Sequence, residues 1–119
     1  MTPHSDGYGA YGLPGDFSST SRFLRAAYVR ENIIATDSPI IDFYHLMSTV
    51  EVPLGVSENR CGEAVSTVYT SAMDTEKMIY YYKTYGNPSI RAVRLCGGDT
   101  LGTSLISYPI EEEMKIEYR

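Results

Sequence analysis

Asp42 and His45 stand three residues apart in a chain of 119 residues with only two histidines and two cysteines, so each side chain able to do acid–base or nucleophilic work can be weighed singly. An aspartate that orients a histidine is part of a hydrolase triad, but the serine of such a triad sits in a G-x-S-x-G elbow, and the sequence has none. The pair reads as the solvated face of a helix. Cys61 follows Arg60, whose charge would favour the thiolate, yet no base stands beside it. Cys96 ends a predicted strand and reads as a structural thiol. His4 and Asp6 lack the closely spaced partners that hold a metal ion. Gly7-Tyr8-Gly9-Ala10-Tyr11-Gly12 fits the dinucleotide fingerprint G-x-G-x-x-G, which works only between a strand and a helix N-terminus, and there is no room for a strand before it. It reads as a glycine-rich loop. No metal and no cofactor is expected.

Arg22 differs from these, because its surroundings on the helix single it out. It heads a stripe that continues through Ala26, Val29 and Ile33, which places a guanidinium on an apolar side near the helix start. A charge directed that way needs an anion, and no carboxylate of the same helix shares the stripe. It either serves a site, joins an ordinary ion pair, or extends its stem along apolar surface to reach water. Arg25 falls on a more polar side, near Asn32.

The elements that must position these residues follow from caps and periodicity. Ser18 is a good N-cap for a helix running from Ser19 to about Ile33, a stretch free of Gly and Pro; Ser38 can cap a second helix over 39–51, with Pro39 at its first position. In the second helix Ile40, Phe43, Tyr44, Met47 and Val50 fall on one side, and Asp42, His45, Ser48 and Thr49 on the other. Pro53 and Gly55 end the helical region. Strands are expected at 64–73 and 78–85 about the turn Asp74-Thr75-Glu76-Lys77, then at 89–95 after Gly86-Asn87-Pro88, with a fourth short strand at Leu105 to Tyr108. The fold class is therefore α+β, helices followed by an antiparallel sheet, in one domain spanning 1–119: a loop at 1–15, two helices within 16–53, strands within 64–110 and a charged tail at 111–119.

Composition narrows the partners. A net charge of −5, with ten Lys and Arg spread along the chain, argues against nucleic acid. No apolar run approaches a membrane span and the start has no signal-peptide pattern, so a cytoplasmic protein is expected. Eleven tyrosines and no tryptophan suit a sheet, and Tyr80 and Tyr82 alternate with Tyr81 and Tyr85, so both faces carry large rings. One face would be bare unless another segment, or a second copy, covers it.

Gly12-Leu13-Pro14-Gly15-Asp16-Phe17-Ser18-Ser19-Thr20-Ser21-Arg22-Phe23-Leu24-Arg25 resembles the GLPGD-x-[ST]-x-x-SRF-x-R stretch of the choloylglycine hydrolase family, the bile-salt hydrolases and penicillin V acylases. Phe43-Tyr44-His45-Leu46 with Ser48 to Pro53 resembles its FFHLL-x-SVEVP region, Tyr69 to Asp74 its YSSAMD strand end, Ile79 to Tyr85 its IYYYKTY strand, and Leu105 to Pro109 its closing LISYP. The likeness runs in order from about residue 9 to 110 and implies the C-terminal portion of such an enzyme.

That resemblance implies the αββα sandwich of N-terminal nucleophile hydrolases, which would supply the missing second sheet layer. It implies an N-terminal cysteine whose thiolate attacks an amide carbonyl, with the α-amino group moving protons and asparagines holding the oxyanion. Those groups belong to upstream family sequence; of the catalytic set only the arginine of the SRF motif maps here, to Arg22, in support of the cysteine. An N-terminal Thr2 nucleophile would lack these companions. The implied substrates are conjugated bile salts, or alternatively penicillin V-like amides; the chain alone is expected to be inactive and to need the N-terminal portion or to self-associate. The rival reading is a non-catalytic, sheet-pairing scaffold.

Overall fold

A computed structural model describes residues 9–95, 102 and 104–119. The element order is α1 (Ser19–Asn32), α2 (Pro39–Ser48), β1 (Tyr69–Asp74), β2 (Ile79–Thr84) and β3 (Arg91–Arg94), and the chain divides into two compact units, 1–51 and 52–119.

In the first unit, α1 starts where the sequence places it. Ser18 is extended (φ −61°, ψ 154°), and its hydroxyl accepts from the Ser21 N–H at 3.2 Å. Such a cap satisfies one of the N–H groups that a helix start leaves unpaired, and its loss to alanine costs about 1 kcal/mol. Asp16 reinforces it. Its carboxylate accepts from the Ser18 N–H at 2.8 Å and from the Ser21 hydroxyl at 2.7 Å, and Ser21 is buried. These bonds, first those to the Ser18 and Ser21 side chains, lower the Asp16 pKa from an ordinary 3.8 to about 2. At the other end the Ile33 N–H still reaches Val29 O, but Ile33 itself is extended (ψ 134°) and closes the helix.

Two expectations for α2 are corrected. Ser38 makes no side-chain cap; Asp42, one turn into the helix, instead reaches back and accepts from the Thr36 N–H at 2.7 Å and hydroxyl at 2.8 Å. The helix also stops at Ser48 rather than 51. Ser48 and Thr49 hydroxyls take the His45 and Leu46 carbonyls at 2.6 and 2.7 Å, while the Thr49 and Val50 N–H groups bond Leu46 O and Met47 O, three residues back. Short polar side chains thus occupy carbonyls that a longer helix needs, and the last turn tightens. The apolar stripe is as expected: Tyr44 is buried, with Phe43 edge-on to it at 5.4 Å, while His45 is exposed.

The second unit is an antiparallel meander in the order β1-β2-β3. Ser71 faces Tyr82, Met73 faces Tyr80, and Tyr80 faces Val93. Asp74 Oδ1 accepts from the Glu76 and Lys77 N–H groups, as an aspartate does at the start of a tight turn, and Met78 takes φ +54° to finish it. The strands are shorter than the sequence pattern suggests. Residues 64–67 bond the segment before them instead of β2: Val65 N–H reaches Ser57 O, Thr67 N–H reaches Val52 O, and Ala64 bridges to Glu58, whereas Val68 O accepts from the Tyr85 N–H just beyond β2. Residues 105–108 form no strand. They run as an irregular segment whose side chains are exposed, without a ladder of their own.

The irregular tail is nevertheless held in place. Asn87, 3% exposed, donates from its amide to Glu111 O at 3.0 Å and Glu113 O at 3.2 Å, and its side-chain oxygen accepts from the Ser89 N–H at 3.1 Å. Arg91 pairs with Glu111. Gly86 lies so close beneath the tail that an added Cβ would meet Glu112 O at 2.8 Å. Buried polar groups left unpaired cost about 1–3 kcal/mol. Asn87→Ala is therefore expected to lose about that much stability and to lower the backbone N–H order parameters of 111–113 selectively, since the clamp holds the Glu111 and Glu113 carbonyls. Unchanged order there would contradict the clamp.

The Asp16 cap makes a second prediction, in acid. A carboxylate with a lowered folded pKa contributes fully above its ordinary value of 3.8, and that contribution is lost as pH falls through about 2. An NMR titration of the Asp16 carboxyl should show the low midpoint, with Ser21 amide exchange rising over the same window. In Asp16→Asn that rise should vanish; a midpoint near 3.8 in the parent would refute the cap.

Candidate functional site

The start of α1 carries three charged residues, Asp16 just before it and Arg22 and Arg25 in its first two turns. Arg22 N–H bonds Ser18 O at 3.0 Å, so the residue lies in the first turn, and its half-buried side chain sits on the side shared with Ala26 and Val29. One terminal nitrogen donates to the Ser19 hydroxyl at 3.4 Å, a long contact. Its Nε is shielded from solvent and donates to nothing. A donor in that state costs free energy until an acceptor meets it. The guanidinium thus rests at the helix start with its Nε donor unused.

Arg25, three residues on, is in the opposite condition. It donates from Nε to Thr49 O at 3.0 Å and from one terminal nitrogen to Pro14 O at 2.8 Å and Asp16 O at 2.6 Å. The Phe17 ring lies 6.0 Å from its guanidinium carbon. The helical wheel does not single out Arg25, which falls on its polar side, and all its acceptors are backbone atoms. The one usable signal was the loop before the helix, whose turn residues expose carbonyls.

The other sequence candidates do not assemble into a site. Asp42 is engaged with Thr36, and His45 is exposed on the far side of α2 from the buried Tyr44. Cys61 is an exposed free thiol in a turn built by Asn59, whose side-chain oxygen accepts from the Cys61 and Glu63 N–H groups. Thr2, His4, Asp6, Gly7, Tyr8 and Cys96 lie outside the described residues. From the glycine-rich stretch, Gly9 and Gly12 have positive φ and Leu13 N–H bonds Ala10 O, a turn that leads towards α1. Among the described residues no group of three or more His, Cys, Asp and Glu could hold a metal ion, and no helix is long and apolar enough to cross a membrane.

The second unit has a concave apolar feature. A groove of about 920 Å³ runs along the sheet face carrying Tyr80 and Tyr82, which stack at 6.1 Å, with Val93, Leu95, Ile106 and Tyr108 among its walls.

The chain is similar to known proteins. The chain is 40% identical over 116 residues to a bile salt hydrolase/transferase of Lactiplantibacillus plantarum, covering 95% of this chain and 36% of that protein. It is 35% identical to one of Clostridium perfringens, covering 99% of this chain and 37% of that one. A crystal structure of a conjugated bile acid hydrolase variant from Clostridium perfringens superposes with a TM-score of 0.88 at 34% identity, over 99% of this chain and 37% of that one. Penicillin V acylase from Agrobacterium tumefaciens has a TM-score of 0.60 at 20% identity, over 74% of this chain and 29% of that one, a likeness of fold alone. The chain therefore spans about a third of the length of the curated relatives it matches, and its α+β fold is that of part of an αββα N-terminal nucleophile hydrolase. The model of the linear amide C–N hydrolases, choloylglycine hydrolase family, matches residues 1–108, and the chain belongs to that family.

Proposed function

We propose that the chain is the C-terminal portion of an enzyme that hydrolyses the glycine or taurine amide of conjugated bile salts, with an N-terminal cysteine from another part of that enzyme as nucleophile. The observation that carries the substrate is the 40% identity, over nearly the whole chain, to a protein named for bile salt hydrolysis and transfer. Penicillin V-like amides are the second choice, because that likeness is at 20% identity. The two units are parts of one domain, and the enzyme works in the cytoplasm, where its thiol stays reduced. The remainder of the enzyme covers the apolar groove; a chain expressed without it is expected to self-associate and to release no glycine or taurine.

In this reading the thiolate attacks the amide carbonyl, the C–N bond breaks as the amine takes a proton, and water then splits the thioester. Arg22 is the catalytic residue of this chain. Its underused guanidinium stands beside the cysteine, where fixed positive charge favours thiolate over thiol. Each unit by which it lowers the thiol pKa is about 1.4 kcal/mol of differential stabilisation.

Removing the charge raises the thiol pKa, so less thiolate exists at neutral pH and more returns as pH rises. Assayed as glycine release from glycocholate by the complete enzyme, Arg22→Met is expected to lose activity at pH 7 and to regain part of it in alkali. Arg22→Lys, with a charge but no planar fork, should fall between. A folded Arg22→Met with the parent's pH profile would make Arg22 a structural residue. Release of phenoxyacetate from penicillin V, with no release of glycine or taurine from bile salts, would reverse the substrate assignment.

A further inference from the structure

Arg25 makes the most demanding arrangement in the first unit, and the proposed reaction leaves it unused. Its donors end on backbone oxygens of two separate pieces of chain: Pro14 and Asp16 in the loop before α1, and Thr49, the residue that closes α2. A planar guanidinium held by several acceptors has its plane and direction fixed, unlike the point charge of a lysine. The loop is also tied to the start of α1 by the Asp16 carboxylate, which accepts from Ser18 and Ser21, while the Asp16 carbonyl accepts from Arg25. Asp16 is thus held at both ends.

These bonds act on α1 as a body. Arg22 and Arg25 are three residues apart on one helix, so whatever turns the helix at Arg25 turns it at Arg22. A rotation of about 20° carries a side-chain tip, at a radius of roughly 5–6 Å, through about 2 Å. Misplacement by about 1 Å can cost a reaction about a hundredfold. Without Arg25, the start of α1 would keep only its serine and aspartate cap, and Thr49 O would lose the donor that links it to α1.

We propose that Arg25 is a positioning residue for the amide hydrolysis, setting the rotation and height of α1 and hence the direction of the Arg22 guanidinium, without touching substrate. The inference rests on the role given to Arg22 above.

The test is the pH profile of kcat/KM for glycocholate in the complete enzyme. Arg25→Met keeps the stem and removes every donor; it is expected to lower kcat/KM at pH 7 by at least about tenfold. The thiol-ionisation limb should move to higher pH, in the direction that Arg22→Met moves it, with KM within about twofold of the parent. Arg25→Lys should recover part of the loss. On an Arg22→Met background, Arg25→Met should shift the limb no further. A side chain that only holds the fold together would lower the melting temperature and leave the limb of the folded protein in place, and that result overturns the proposal. If Arg25→Met does not fold, Arg25→Lys reads the same limb by the same criterion. Movement of the limb by Arg22→Met but not by the Arg25 variants removes the positioning role alone, whereas no movement with Arg22→Met removes both.

Discussion

Every helix end leaves backbone groups without helical partners, and the first unit satisfies two such ends with neighbouring side chains. Ser18 and Asp16 meet the free N–H and hydroxyl groups at the start of α1, and Arg25, rooted in that same helix, meets the carbonyl at the end of α2. The Pro14 and Asp16 carbonyls complete the arrangement. The geometry of the helix pair is therefore set by directional bonds among a few residues rather than by a large core. Among the described residues no side chain is buried below 2% exposure, and the buried hydrophobic ones are Tyr44, Val52 and Ile79. Bonds of this kind have fixed lengths and angles, which apolar contact does not impose.

Against that background Arg22 and Arg25, two of the three arginines of α1, differ in what their donors meet. One guanidinium has its donors directed to carbonyls and the other keeps a shielded Nε without an acceptor. Such donors are uncommon, and Arg91 of the second unit, paired with Glu111 through a terminal nitrogen, has an Nε in the same state. The second unit shows a related economy, with Asn87 holding an irregular tail against a turn where Gly86 permits close approach, while the tyrosine-bearing face of the sheet opens into an apolar groove. A face of that character suits a fragment of a larger sandwich, in agreement with a chain that spans about a third of its relatives.

The helices and the order of the strands were legible because capping and alternation are local. Ser18, Pro39 and the stripe through Phe43, Tyr44 and Met47 carry that information in their types and spacing. The strand limits were not, since nothing in the alternation of 64–67 says that its hydrogen bonds go to 52–58 rather than to β2. Nor does LISYP at 105–109 reveal that it lacks a ladder partner in the described structure. At the site, Arg22 could be found from the wheel, since an arginine on an apolar stripe is anomalous by itself. Arg25 could not be found from the wheel, since backbone carbonyls such as those of Pro14, Asp16 and Thr49 have no sequence signature. The Ser38 cap failed for a like reason, as Asp42 reached the preceding loop first.

Arg22 is proposed to hold a nearby cysteine as thiolate, and alkylation of that thiol tests this without any substrate. In the complete enzyme the rate of reaction of the N-terminal cysteine with iodoacetamide should follow a titration whose midpoint lies below the ordinary thiol value of about 8.5. In folded Arg22→Met the midpoint should move up towards it. Coincident titrations for the parent and Arg22→Met would contradict the account and leave Arg22 without a part in the chemistry.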